Sequence, residues 1–588
     1  MNVLNEILRL DCRSAWVSLG CFMLIFYLFI PHYFELSALP HLYQPFLTNL
    51  LIIFSFVLCV YCIVSKKIYL QKADFAIGVY VIYSICFALG DECPSIAYIK
   101  TVIILTAFYC FVRILPVKII KNIFWIFIVV SVYRLYFSLN IMRFTPNGYL
   151  YEVSGGFINT GLWGLFLALL AVWCFGKMIY FSSRITVFMS GFYIIIGILL
   201  CFFIFYTDSR AAWLSVLSGI LTIFFLKKKY TIRFLLVGIG IIILVTCGLY
   251  FYKKDSADGR LLIFRSVIPM IVEKPLLGFG FEGFSKEYMI RQACFLNKQK
   301  DNSLKMKADE TQFAFNELLR LQLERGLVGV ISVIGLLGFI VSRSPQQKYM
   351  REIFILRGMF VCLCIFSMVS YPLSDFTIQA YGVFLLAAII SCSKDDRKIY
   401  DLNRKRNVAL VVIVLCIGLF LFPYFQAHET AFKKWHVTLG DYTYNSSDAL
   451  NKLAKMHQKL NYDFMFLFTY GKLLNHSDRF EEAVSILQES YKRRSSYMAL
   501  IEMGKSYVGM QQYDNAAKCW ELAGQMIPNR FLPGLLAADM YGCIGDKAKA
   551  TEIARKTLAK NIKINSPEVR LIIRQLKKHL PSTLNNQN

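Results

Sequence analysis

Residues 184–229 read RITVFMSGFYIIIGILLCFFIFYTDSRAAWLSVLSGILTIFFLKKK, two apolar runs separated only by Thr207-Asp208-Ser209-Arg210. Each run is long enough to cross a ~30 Å hydrocarbon core as a helix. Arg184 stands before the first run and Lys227-Lys228-Lys229 closes the second, so both basic ends fall on one side and the short turn on the other. Because Lys and Arg are retained in the cytoplasm, the pattern reads as a membrane hairpin whose tight turn faces outward.

The same reading extends along the chain. Of its 588 residues 57% are hydrophobic and 17% charged, with a mean hydropathy of +0.51, outside the range of soluble domains. About thirteen such runs lie between Ser14 and Gln426. Basic residues fill every second connection, including Lys66/Lys67/Lys72, Arg113/Lys118/Lys121 and Arg343/Lys348/Arg351, whereas 34–44, 90–95 and 372–375 carry none. The expected fold class is all-α: a polytopic helical bundle with a cytoplasmic N-terminus and a C-terminus on the opposite side. The net charge of +26 is largely accounted for by these connections, and nucleic acid is set aside as a partner.

Two segments depart from the membrane pattern. The connection 253–325 mixes charges of both signs with Gly and aromatics, too long for a linker and too structured in composition for disorder. It contains helix-like stretches at Leu261–Val272 and Thr311–Leu323. The tail 426–588 repeats with a period of 33 to 34 residues: Arg479-Phe480-Glu481-Glu482-Ala483 lines up with Gln512-Tyr513-Asp514-Asn515-Ala516 and Asp546-Lys547-Ala548-Lys549-Ala550. This resembles a tetratricopeptide array, a stack of helical hairpins able to present a groove to a peptide or to serve as a spacer. The expected domains are therefore 1–425 in the membrane, with its external loop 253–325, and 426–588 outside.

Soluble-enzyme motifs are missing: no phosphate-binding loop, GxSxG or HExxH occurs. None of the seven His lies in the long loop, so no His-ligated metal is expected there, and no cofactor. The notable residues are cations at the outer boundary. Arg210 stands where the positive-inside bias disfavours it, after Ser209. Arg260 and Arg265 open the long loop, five residues apart and so on different faces of a continuous helix. Guanidinium forks suit phosphate oxygens, and several converging at a dry boundary neutralise a pyrophosphate leaving group. Each also has an ordinary reading as surface charge or as an Arg that snorkels. Gly278 and Gly280 permit tight turns or close ligand approach. Asn316 and Glu317 are able to orient or deprotonate a hydroxyl, or simply to cap a helix.

Together these residues resemble the superfamily of O-antigen ligases, Wzy-type polymerases and bacterial O-oligosaccharyltransferases. Phe157-Ile158-Asn159-Thr160-Gly161, following Gly156, is similar to its Gly-x-Phe-x-Asn start of a span. Thr207–Trp213 is similar to its Ser-Arg-Gly/Ala-x-Trp turn, and Asp258-Gly259-Arg260 through Gly278–Phe284 to its Arg…Pro-Leu-x-Gly-x-Gly stretch. Phe315-Asn316-Glu317-Leu318-Leu319 through Glu324-Arg325-Gly326 is similar to its His-Asn-x-x-Leu…Glu-x-Gly, with Phe315 in place of the His that many members are proposed to use as base. The resemblance implies transfer of a preassembled glycan from undecaprenyl pyrophosphate to an acceptor hydroxyl at the periplasmic face of the bacterial inner membrane. Arg210 and Arg260 would hold the pyrophosphate, and Glu317, or Glu310, would replace the missing base. The acceptor is an exported protein, the lipid A core or another glycan; the repeat tail favours the protein. A lipid-linked-sugar flippase is the alternative of a different class.

Overall fold

The computed structural model describes residues 20, 23–30, 44–64, 67–92, 94–144, 154–157, 159–180, 186–228, 232–252, 254–299, 302–394, 398–401, 404–441 and 446–581. Among these the chain is helical apart from one short ribbon, in which Lys67–Leu70 pairs antiparallel with Lys398–Asp401. Among the described residues seven helices are long and apolar enough to cross a membrane, from Lys72–Leu89 to Glu317–Val341, and Asn49–Cys59 and Phe376–Cys392 form shorter apolar segments. This is a membrane protein. The first expected span, 14–33, lies largely outside the described residues.

At the centre stands the helix Thr160–Tyr180, buried without a break from Leu162 to Cys174. A helix apolar all round has no need of a polar face and is surrounded by others. Its neighbours are Thr186–Tyr206, Arg210–Lys228 and Met350–Ser367. The last two approach through small residues: a Cβ on Gly219 would lie 2.9 Å from the Gly358 carbonyl, and one on Gly358 2.8 Å from that of Gly219. Apolar side chains are as well solvated by lipid as by each other, so close backbone packing is what joins such helices. Ile195, Phe205, Leu244 and Phe251 stay exposed on the outer surface, as lipid contact allows.

The connections gather at two ends. At the basic end the ribbon is joined by Arg113–Asp74 at 2.8 Å, Lys121–Glu352 at 2.5 Å and the backbone bond from Lys394 N–H to the Ser344 carbonyl. At the other, the long loop covers the bundle. Its helices are Lys254–Glu273, Gly283–Asn297 and Asn302–Lys307, whereas 311–316 is not helical and the next helix begins at Glu317. The helix-like reading of Thr311–Leu323 is thus half correct: Asn316 caps the helix by accepting from Leu319 N–H at 2.9 Å, which ends it there.

Two Gly-containing segments of the loop clasp one another. Phe279 N–H donates to the Leu323 carbonyl at 2.7 Å, Gly280 N–H to Glu324, Leu327 N–H to Pro275 and Val328 N–H to Leu276. Gly326 breaks the Glu317–Val341 helix with φ 62° and ψ −166° to let this happen. A Cβ there would meet the Leu276 carbonyl oxygen at 2.1 Å.

The tail forms helical hairpins whose second helices begin at Phe480, Tyr513 and Lys547. Each follows a residue of positive φ, Asp478, Gln511 or Gly545, and each buries the Ala three residues in, at 483, 516 and 550. The hairpins pack on the loop. Ile263, Met270, Tyr288 and Ala293 share one core with Tyr497, Trp520 and Met526. Around it Gln292 Nε2 donates to the Met526 carbonyl at 2.8 Å and Asn529 Nδ2 to that of Ala308 at 2.9 Å.

Gly326→Ala combines a left-handed backbone, costing about 1–2 kcal/mol, with a carbonyl clash. It is expected to lower the thermal midpoint of the purified protein by several degrees, whereas Gly335→Ala, with open space around it, leaves it unchanged.

Candidate active site

Four chain segments meet where the loop covers the bundle. The first is the turn before the Thr160–Tyr180 helix. Gly155 and Gly156 both have positive φ, and a Cβ on Gly155 would lie 2.5 Å from the Trp163 ring. Arg134, fully buried, donates to the Gly155 carbonyl at 2.8 Å and lies 4.2 Å from the Phe157 ring centroid. So held, Asn159 accepts from Leu162 N–H at 2.9 Å and donates from Nδ2 to the Tyr371 hydroxyl at 2.6 Å.

The second segment is the Thr207–Arg210 turn. Asp208 takes φ 51°, and buried Ser209 caps the following helix through Ala212 N–H. The turn lies against the first segment because Gly161 and Gly164 leave room. A Cβ on Gly164 would sit 2.8 Å from Thr207 Oγ1, and one on Gly161 3.7 Å from Ser209 Oγ.

Arg260 comes from the third, the helix Lys254–Glu273. It donates to the Val369 carbonyl at 2.7 Å and lies 5.1 Å from the Phe315 ring. Burial, and then the neighbouring Arg210 guanidinium, hold it below the ordinary guanidinium range. Among the described residues no carboxylate pairs with Arg260. Arg265 is exposed on the same helix, and no contact joins it to Arg210 or Arg260.

The fourth is Phe313–Glu317 with the turn 369–375. Phe313 stacks on Tyr371 with centroids 3.9 Å apart and planes within 4°, and Phe315, at φ 53°, meets Tyr371 edge-on at 5.1 Å. Glu317 accepts from Leu373 N–H at 2.9 Å and pairs with Arg320 at 3.4 Å, so its carboxylate fixes the turn that carries Tyr371. Glu310 lies elsewhere, accepting from Ser496 of the tail at 2.6 Å.

The structure therefore brings together Asn159, Ser209, Arg210, Arg260, Asn316 and Glu317, and leaves Arg265 and Glu310 apart. Gly278 and Gly280 build the clasp: Gly280 N–H donates to the Glu324 carbonyl, and Gly278, whose N–H donates to the Lys274 carbonyl, lets the Leu323 carbonyl approach. Sequence reasoning missed Tyr371, Phe313 and Arg134. Arg325 was visible inside Glu324-Arg325-Gly326 without a role; it reaches Tyr98 Oη at 2.7 Å and Ser84 Oγ at 3.2 Å, over the Phe87 ring at 4.6 Å. It ties the clasp to the Lys72–Leu89 and Ile96–Ile114 helices.

The Arg210 guanidinium lies close enough to Arg260 to act on its charge, and Asp208 acts on Arg210 in turn; guanidinium forks of this kind suit the oxygens of a multiply charged anion. The family model described as O-Antigen ligase matches residues 195–334, a stretch that holds Arg210, Arg260, the clasp and Glu317. Over that stretch the chain belongs to the O-antigen ligase superfamily. That match supports a membrane glycosyltransferase of the O-antigen ligase and Wzy type, with a lipid-linked glycan as the substrate class. No curated protein matches the chain.

Tyr371→Phe keeps the stack on Phe313 but removes the oxygen that Asn159 Nδ2 meets, a loss of about 1 kcal/mol. A several-fold drop in glycan transfer with an unchanged thermal midpoint is expected; wild-type transfer would make the contact incidental.

Proposed function

We propose that the protein transfers a preassembled glycan from undecaprenyl pyrophosphate to an acceptor hydroxyl at the periplasmic face of the inner membrane, with the loop 253–325 and the tail 426–588 on that face. The observation that carries this reading is Arg260, a half-buried cation close enough to the Arg210 guanidinium to feel its charge. A pyrophosphate relieves their repulsion, and its charge grows as the glycosidic bond breaks, so the same groups stabilise the transition state.

In the reaction the acceptor oxygen attacks the anomeric carbon, the bond from that carbon to the pyrophosphate oxygen breaks, and its electron pair leaves with undecaprenyl pyrophosphate. The hydroxyl proton passes to Glu317, which sits beside Phe315 where the family's His is replaced. Asn159 and Tyr371 order the site between the cations and the turn. The reading takes no metal and no cofactor.

For the acceptor the reading is an exported protein, making the enzyme a protein O-oligosaccharyltransferase. It is supported by the helical repeat tail, which is fastened to the loop beside the site. An O-antigen ligase acting on the lipid A core, or a Wzy-type polymerase, is favoured by a different feature: the face that the hairpins turn toward the loop is filled by the Gly283–Asn297 helix and is not open to a peptide.

In a host deleted for the gene, glycan-stained gels of envelope proteins and of lipopolysaccharide separate these readings. Loss of glycan from proteins alone supports protein transfer, loss of the lipopolysaccharide ladder alone supports ligase or polymerase, and no change in either contradicts glycan transfer and favours a transporter. Arg210→Ala and Arg260→Ala are expected to lower transfer about 100-fold or more, in line with loss of a transition-state donor, at normal protein level, and Arg265→Ala to leave it near wild type. Glu317→Gln keeps an oxygen for Leu373 N–H, so a large loss there marks proton transfer and full activity marks a structural role.

A further inference from the structure

The helix Arg404–Asp441 continues well past its apolar run. At ~1.5 Å per residue the twenty steps from Arg406 to Gln426 cover ~30 Å, the thickness of the hydrocarbon core. The next turns, Gln426 to Lys434, therefore stand in and just above the headgroup layer. There the helix meets the first tail helix, Ser446–Leu460, and the two enclose a cavity of about 520 Å³.

Its walls are of one charge. Lys434 comes from the long helix, and Lys452, Lys455 and Lys459, on one face of the tail helix, from the other side, around an apolar floor that includes Ala427 and Ala431. None of the lining residues is acidic. Two carboxylates on these helices are engaged: Asp448 pairs with Lys452 at 2.8 Å, and buried Glu429 pairs with Lys100.

The floor continues down into the membrane. Phe420, Tyr424, Ala427, Ala431 and Lys434 recur at i, i+4, i+7, i+11 and i+14, one stripe of the helix. Phe420 is 79% and Tyr424 50% exposed, so an apolar track faces lipid directly below a ring of ammonium groups. That is the shape of an amphiphile with an anionic head and apolar chains. Flexible ammonium groups around a rim suit a singly charged phosphodiester, whereas a pyrophosphate is better met by rigid forks such as those of Arg210 and Arg260.

We infer that this cavity binds the phosphate of an anionic phospholipid, whose acyl chains lie along Phe420 and Tyr424. The lipid bridges the joint between the last long helix and the tail, and so steadies the array that packs on the loop. The site is separate from Arg210 and Arg260, and does not rest on the transfer chemistry.

The test uses the full-length protein purified in detergent with phosphatidylglycerol, phosphatidylcholine or farnesyl pyrophosphate, and retained lipid is counted by native mass spectrometry. The variant is Lys434→Gln/Lys455→Gln/Lys459→Gln, all exposed side chains; Lys547→Gln/Lys549→Gln/Lys556→Gln in a distant part of the tail is the control. Phosphatidylglycerol retained over phosphatidylcholine by wild type and control, and at least fivefold less by the cavity variant, is the expected result. Equal retention by cavity variant and wild type, or no preference over phosphatidylcholine, overturns the proposal. Farnesyl pyrophosphate displacing phosphatidylglycerol from wild type but not acting on the cavity variant also overturns it, by assigning the cavity to a polyprenyl donor.

Discussion

Two positive charges held near one another where the long loop covers the helical bundle set the terms for the rest of this molecule. Arg210 and Arg260 come from different segments and repel, and Arg260 is half-buried, so their closeness rests on backbones fixed independently. The Asp208 turn is locked between the central helix and the start of its own helix, and Arg260 is held by the Val369 carbonyl and the Phe315 ring. The turn that supplies Val369 is in turn fixed by Glu317 and by the stack of Phe313 on Tyr371. On the proposed reading, side chains held this way are organised before an anion arrives, which is the condition for electrostatic stabilisation without reorganisation at the moment of reaction.

The loop that supplies Arg260 is gripped from both sides. On the bundle side the clasp of 275–280 with 323–328 and the buried Arg325 anchor it to the Lys72–Leu89 and Ile96–Ile114 helices. On the tail side its helices share a core with the helical hairpins, and Glu310 and Asp309 are met by Ser496 and Arg530. Long connections are ordinarily the mobile part of a membrane protein. Here the loop is the middle layer of a sandwich, so the tail contributes to the site through rigidity whether or not it also contacts an acceptor.

Much of this was legible in the sequence because it depends on local pattern. Apolar runs mark helices, the Thr207–Arg210 interruption marks a tight turn, and the segments 479–483, 512–516 and 546–550 that line up at a 33-to-34-residue period each run into a helix, beginning at Phe480, Tyr513 and Lys547. The cations of the candidate site stood out for a related reason: Arg210 follows a turn that the charge pattern reads as outward-facing, where the positive-inside bias disfavours it. What escaped are partnerships between distant residues. Nothing near Tyr371 announces that it meets Asn159, 212 positions away, and nothing near Arg134 announces that it holds the Gly155 carbonyl. Gly278 read as a place for a ligand to approach, but the close approach is made by the chain's own backbone at Leu323. Glu310 read as a candidate base, and its partner lies in the tail.

The central claim is that Arg210 and Arg260 together bind the pyrophosphate of a polyprenyl donor. Titration of the purified full-length protein with farnesyl pyrophosphate, against farnesyl monophosphate, tests it without requiring the glycan or the acceptor. Wild type is expected to prefer the pyrophosphate, and Arg210→Ala and Arg260→Ala each to lose tenfold or more of its affinity with little change toward the monophosphate. Equal affinity of both variants and wild type for the pyrophosphate would contradict the claim and leave the paired cations as a structural feature of the loop.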